Sequence, residues 1–422
     1  MSQLRTIDAR RERAILLALV ALAVFFRFLV WLVVEPEIVS DSLAYFMMAD
    51  SMAQGFPPID QHGQYAFYSI GYPLVLVPIF AVAGATPPSA IVVNLILAGA
   101  TAWLVHGVAR AIGLAAVWRL LAVAAYGVWL PGIWNSAHLA RENLSTPLLL
   151  AVVWLAIAML DGRRMWSKGL ACGIAYGAAI LAGGSALPLI AAPLVAAALA
   201  WFRYRASLAK TAAALMIGAA LCLAPWIYTT QQLVGQPTLN TNGGFNLYLG
   251  NNPAANGRFV SIADTPVGPS WEQMRVDLGE VGASKALGQM AREYAMAHPV
   301  ETLGLTAKRL ALFWAPNWPS AQDVTGSKAM LAIRSAEVLQ YLLLIVLAFI
   351  GASSRRVRFE VALVVALAIL GFWAIHGVTY NIPRYRDPVM PLLIVFAALG
   401  VRQTCVLLMS YRSEPRHAAA TD

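Results

Sequence analysis

The chain has 422 residues, 59% of them apolar and only 12% charged, with a formal net charge of +9. Soluble globular chains carry about 25% charged residues, so roughly half the usual surface charge is missing, and a water-soluble body or a disordered chain of this size is excluded. Cys172, Cys222 and Cys405 each lie in an apolar stretch, which excludes a disulfide scaffold or a cysteine metal site.

A basic leader with Arg5, Arg10, Arg11 and Arg13 precedes the first apolar segment, at 14–34. Its small-residue run Ala21-Leu22-Ala23 sits inside the segment and not at its end, so the segment reads as a retained first span and not a cleaved signal. Further spans are expected near 89–109, 119–134, 145–160, 169–183, 187–201, 211–229, 333–351, 359–377 and 388–406. The two between 169 and 201 are short and read as a tight hairpin turning at Gly183-Gly184-Ser185. The apolar stretch at 68–84 is settled by parity. If it spanned, the basic loops at 161–168 and 202–210 would face outward; if it lies along the outer face, every short basic loop falls inside.

The second option gives ten spans with both termini cytoplasmic. The cytoplasmic segments then hold 18 of the 30 Lys and Arg but only six of the 21 acids, and 15 acids face outward. Carboxylate chemistry is therefore expected outside. The fold class is an all-α polytopic membrane protein of about ten transmembrane helices, with external juxtamembrane helices and a small external loop domain. The organisation reads as a transmembrane module at 1–229 with its first external loop at 35–88, an external loop domain at 230–332, and C-terminal helices with a tail at 333–422.

Just beyond the first span, Ser40-Asp41-Ser42-Leu43-Ala44-Tyr45 opens a helix for which Ser40 is a plausible N-cap. Asp41 and Tyr45 lie four apart and share one face. An acid there accepts a proton from a hydroxyl if it is oriented and partly desolvated; the plainer alternative is that it complements the helix dipole. Arg27 lies one and a half to two turns inside the first span, where an arginine usually faces protein or a polar cavity, and Asp41 or Glu142 are its candidate partners.

The order of landmarks resembles a family. Asp41-x-x-x-Tyr45 after span one, then Tyr68-Ser-Ile-Gly71-Tyr72-Pro73-Leu74, is similar to the GT-C glycosyltransferases that use polyprenyl-phosphate sugars, among them protein O-mannosyltransferases and the lipid A aminoarabinose transferase. His138-Leu-Ala-Arg141-Glu142, the Asn/Gly-rich run Asn240–Asn252, Lys308-Arg309 and Pro383-Arg384-Tyr385-Arg386-Asp387-Pro388 fall where that family has its outer landmarks. One departure is the segment 181–188, Leu-Ala-Gly-Gly-Ser-Ala-Leu-Pro, where many members carry Arg-Pro.

The resemblance implies a membrane glycosyltransferase that moves a sugar, with inversion, from a polyprenyl-phosphate donor to a glycan, lipid or protein acceptor. The reaction would occur on the outer side of a bacterial inner membrane. Asp41 would be the base; Arg384, Arg386, Lys308 and Arg309 would hold the donor phosphate, for which guanidinium forks are suited. Tyr45, Tyr65, Tyr68, His62, Arg141, Glu142, Asn251 and Tyr380 would line the substrate site. No cofactor is expected, since one Glu with one His is thin coordination for a divalent metal on Glu142. The alternatives are a lipid-linked glycan flippase or transporter, which usually shows repeat symmetry, and a polysaccharide polymerase or ligase, which takes a diphosphate donor.

Overall fold

The computed structural model describes residues 7–34, 36–320, 323 and 327–413; Arg5, Glu35, Glu414, Arg416 and Asp422 fall outside them. In chain order the helices are α1 (Ala9–Val34), α2 (Asp41–Ala53), α3 (Gly71–Ala83), α4 (Pro87–Ile112), α5 (Ala116–Gly127), α6 (Leu130–Ser136), α7 (Glu142–Met159) and α8 (Met165–Ala182). They continue as α9 (Ala191–Tyr204), α10 (Leu208–Val234), α11 (Gly243–Gly250), α12 (Trp271–Ala297), α13 (Pro299–Trp314), α14 (Lys328–Ala352), α15 (Phe359–Ile375) and α16 (Met390–Ser413). Short 3-10 turns at Gly184–Ile190 and Pro383–Val389 lead into α9 and α16.

Eight of these segments are long and apolar enough to cross a bilayer. Two of the ten expected spans differ from a plain helix. The segment expected at 119–134 is two helices, α5 and α6, bent by 54°. Pro131 sits in the first turn of α6, where its ring fixes the start of a new helix instead of letting α5 run on. The other, α15, is 17 residues, about 26 Å of helix. The stretch expected to lie along the outer face forms α3, which at 13 residues is about 20 Å, too short for a hydrocarbon core of about 30 Å.

The break between α5 and α6 explains Arg27. It is 1% exposed and pairs with neither Asp41 nor Glu142. Its guanidinium donates to Ala23 O at 2.9 Å, Tyr126 O at 3.3 Å and Gly127 O at 3.4 Å, and stacks 4.4 Å over the Tyr126 ring. The last carbonyls of α5 lose their helical partners at the bend, and Arg27 supplies donors and positive charge at that negative helix end. It is a structural cation.

The expected hairpin at 169–201 is also corrected. Helix α8 runs along α10 instead, while α9 packs on α7 and α15. Gly169, Gly173 and Gly177 form a stripe on α8, and a Cβ on Gly173 would collide with the Leu215 carbonyl. Reciprocally, a Cβ on Gly218 of α10 would strike the Leu170 carbonyl. In lipid, where two apolar faces have no hydrophobic reason to meet, small residues let backbones approach, and that contact outweighs adjacency in the chain.

The Gly71-Tyr72-Pro73 motif has a structural job. Gly71 lies against the backbone of Leu181 and Ala182, leaving no room for a Cβ. Tyr72 is fully buried and donates to Asn94 Oδ1 at 2.7 Å; Asn94 Nδ2 in turn donates to Ser136 O and His138 O at 3.0 and 2.9 Å. The motif thus ties the adjoining ends of α3, α4, α6 and α8 together.

Outside the bundle, α11 packs on α12, and α12 breaks at Gly279, whose φ of 64° favours glycine. Glu280, next to the break, accepts from the Ala66 amide at 3.3 Å and the Thr241 hydroxyl at 3.5 Å, pinning the loop between α2 and α3 to α12. Burial holds its carboxyl above the ordinary value of 4.5, with Asp60 adding to the effect. The folded chain therefore takes up this proton at a higher pH than the unfolded chain does. Folding around this buried carboxyl is favoured as pH falls through the raised value, disfavoured as pH rises, and loses its pH dependence below the ordinary value. Glu280→Gln is expected to flatten that slope, read as the protection of the Ala66 amide from hydrogen exchange between about pH 5 and pH 8.

Candidate active site

Asp41 is the first residue of α2, where a carboxylate suits the positive end of the helix dipole. Ser40 occupies the expected N-cap position but makes no capping hydrogen bond; its φ of 53° and ψ of −126° lie in a region that side chains disfavour. Strain of this kind amounts to about 1–3 kcal/mol and persists where surrounding contacts impose it. The contact here is Ser42 Oγ, which donates to Leu139 O at 3.0 Å and fixes the start of α2 against the α6–α7 connection.

Opposite Asp41 stands Arg384, from the Pro383–Val389 turn. Its Nη2 donates to Asp41 Oδ2 at 2.7 Å, and its Nε lies 3.8 Å from Glu142 Oε2. Arg141 Nε donates to Glu142 Oε1 at 3.4 Å, and its guanidinium sits 5.7 Å over the Tyr385 ring. Two carboxylates and two guanidiniums thus alternate at one spot, joined from three places in the sequence. The Asp41 and Arg384 side chains remain 39% and 38% exposed, so this pair is open to an incoming group.

Asp41, Arg141 and Arg384 floor a cavity of about 320 Å³. Of the expected substrate residues, Tyr45, His62, Tyr68, Arg141 and Tyr380 line it. Tyr45 is buried, with ring centroids 5.6 and 5.4 Å from Tyr68 and Tyr72, and burial raises its phenol well above the usual value, so it stays protonated. Tyr380 donates to Asn246 Oδ1 at 3.3 Å. Glu142 sits below the floor, in a smaller cavity with Asn135 and Asp387. Tyr65 lines a separate cleft beside α12. His376 is buried with its ring near Phe313, Phe372 and Tyr385, and burial pushes it down to about 4, which makes it a neutral packing residue.

Not all the basic residues face the same way. Arg309 is 0% exposed and donates to the carbonyls of Gly377 at 3.0 Å, Val378 at 3.2 Å and Gly250, and to Asn251 Oδ1 at 3.3 Å. Asn251 is likewise buried and donates to Leu247 O and Val378 O at 2.8 and 3.0 Å. The two bind α11, α13 and the chain after α15 into one unit and do not line the cavity. Burial lowers the Arg309 guanidinium to about 10, still charged at neutral pH. Arg309→Met is expected to destabilise the outer segment by about 2–5 kcal/mol, since several buried carbonyls lose their donor at about 1–3 kcal/mol each; loss of folded protein on size exclusion in detergent checks this. Lys308 is exposed beside Gly257 and away from the cavity.

Arg386 is 6% exposed, donates to Phe313 O at 3.3 Å and to Ala315 O, and stacks 4.2 Å over Tyr341. It nonetheless borders a second cavity, of about 240 Å³, between α6, α14 and the Pro383–Val389 turn. Arg334 also lines that cavity, paired with Glu337 at 2.9 Å, together with Trp129 and Trp134. Arg384 borders both cavities.

Sequence reasoning passed over Phe67, Trp271, Arg275 and Arg334. Phe245 and Asn246 lay inside the Asn/Gly-rich run without being singled out. Both carboxylates face guanidiniums, and no group of three His, Cys, Asp or Glu side chains converges among the described residues. Burial keeps His138 neutral, but its Nδ1 faces the Trp134 carbonyl.

No family model matches the chain, and no curated protein matches it. Solved structures do. The oligosaccharyltransferase of Archaeoglobus fulgidus tethered with an acceptor peptide containing the NVT sequon aligns with a TM-score of 0.56 and 14% identity over 99% of this chain. The same organism's oligosaccharyltransferase AglB, in complex with an inhibitory peptide and a dolichol-phosphate, gives 0.53 and 14% over 97%. A further structure of that enzyme, in complex with Zn and sulfate, gives 0.53 and 14% over 94%. The chain spans about half the length of these proteins, 52%, 52% and 50% of them respectively. At such identity the likeness is one of fold. The chain is a polytopic α-helical membrane protein that shares its fold with these solved oligosaccharyltransferase structures.

Proposed function

We propose that the chain is a membrane glycosyltransferase that moves one sugar from a polyprenyl-phosphate donor to an acceptor hydroxyl on the outer side of a bacterial inner membrane. The observation that carries this reading is Arg384: it holds Asp41 at 2.7 Å in one cavity and borders a second cavity that contains Arg386 and Arg334. An acceptor in the first cavity and a lipid phosphate in the second would meet across one guanidinium.

In the reaction, the acceptor oxygen attacks the anomeric carbon and inverts it. Asp41 takes the hydroxyl proton, the bond from that carbon to the phosphate oxygen breaks, and the polyprenyl phosphate leaves with its electron pair. Charge grows on the leaving phosphate as the bond stretches, and fixed cations held by the fold stabilise it without reorganising. The acidic outer face and the basic short loops support the orientation, with both termini cytoplasmic.

The test is a lipid extract of a deletion strain analysed by mass spectrometry. A polyprenyl monophosphate carrying a single sugar is expected to accumulate. Accumulation of a diphosphate-linked glycan instead would make the protein a polymerase or ligase.

A further inference from the structure

The first cavity also carries information about the acceptor, whose class the reading above leaves open. Its rings form two connected runs. In one, Phe67 touches Phe245 at a centroid distance of 5.3 Å and Phe245 touches Trp271 at 5.2 Å. In the other, Phe259 and Tyr380 meet at 5.3 Å. Phe67, Phe245 and Trp271 are only half-buried, so ring surface is left uncovered toward the space above Asp41. Between the rings stand side chains that hydrogen-bond: Asn242, Asn246, Gln64 and the Glu272–Arg275 ion pair, with Arg275 also donating to His62 O at 3.0 Å.

We infer that the acceptor is a saccharide, the terminal unit of a glycan or glycolipid, bound in this cavity by ring stacking; the inference rests on the transferase reading above. A sugar ring has apolar C–H faces and a polar rim, and needs both aromatic surfaces and scattered hydrogen-bonding groups to hold it. An acyl chain has no use for the polar groups and would strip water from the Glu272–Arg275 pair without replacing it. At about 320 Å³ the cavity sits near the small end of ligand sites, which suits one or two sugar units and not a long polymer segment.

The experiment compares envelope fractions from a deletion strain with those from the strain complemented by wild type, Phe245→Ala, Trp271→Ala or Trp271→Phe. Polysaccharide, glycolipid, and periplasmic protein fractions are each analysed for sugar content by mass spectrometry. Deletion is expected to remove one sugar from the polysaccharide or glycolipid fraction. Using that fraction from the deletion strain as substrate for purified protein in nanodiscs, Trp271→Ala and Phe245→Ala are expected to raise KM about three- to tenfold with kcat little changed. Trp271→Phe should restore most of the affinity, which a merely structural loss would not show. If the sugar disappears from periplasmic protein instead, the saccharide inference is overturned and the transferase reading stands. If both alanine variants keep the wild-type KM, the ring surface is not the acceptor site. If no fraction changes and no polyprenyl-phosphate sugar accumulates, the transferase reading falls and takes this inference with it.

Discussion

Asp41→Asn is expected to abolish sugar transfer, lowering kcat by about 10²- to 10⁴-fold, the range supplied by a positioned general base. The substitution keeps size and shape, so Ser42 can still anchor the start of α2 to Leu139. What it removes is the ability to take a proton, and one half of the pair with Arg384. With the two side chains more than a third exposed, that pair contributes little to stability, so yield and thermal stability in detergent should stay near wild type. Binding of the lipid donor should also survive, because its cations are untouched. The measurement is transfer of labelled sugar in nanodiscs beside donor binding in the same preparation. Transfer by Asp41→Asn at the wild-type rate would remove the base from the mechanism.

Arg384→Lys is expected to lower kcat by about 10²- to 10³-fold, the scale seen when one preorganised donor to a developing anion is lost. The charge is kept, so the loss tests geometry. A guanidinium presents a planar fork; Arg384 uses one nitrogen for Asp41 and turns another toward Glu142 while bordering both cavities. A single ammonium cannot serve three directions at once. Arg386→Lys provides the contrast. Arg386 is engaged with the Phe313 and Ala315 carbonyls at the end of α13, so its replacement should lower folded yield along with activity. If Arg384→Lys retains full kcat, the leaving phosphate is stabilised elsewhere.

Much of the site was legible before any coordinates because topology alone puts Asp41 and Arg384 on one side of the bilayer. With the parity read from the basic loops, an acid just after the first span and an arginine just before the last one fall on the same side. Their direct contact across 343 positions follows from the bundle closing on itself. The four outer basic residues were harder to rank, since Lys308, Arg309, Arg384 and Arg386 are alike in charge and in their distance from a predicted span. What separates them is whether unpaired backbone carbonyls lie within reach. The ends of α11 and α13 claim Arg309 and Arg386, and no sequence period announces where a helix end will come to rest. Trp271 escaped notice for a related reason: its role comes from where the loop before α12 folds back over α11, a long-range event.

Helix pairing shows the same division. The short connection between α8 and α9 suggests a hairpin, and in lipid the close backbone contact of α8 with Gly218 of α10 decides the matter. For Arg27 the sequence offers protein or a polar cavity as surroundings and Asp41 or Glu142 as partners, and neither carboxylate is the partner. Its partners are carbonyls freed by the bend before Pro131, and the bend itself is a tertiary fact.

The position of Arg384 links the two cavities. One guanidinium borders both hollows, so an anion seated beside Arg386 and Arg334 would compete with the Asp41 carboxylate for the same fork, and replacing this one side chain should disturb the occupants of both hollows together.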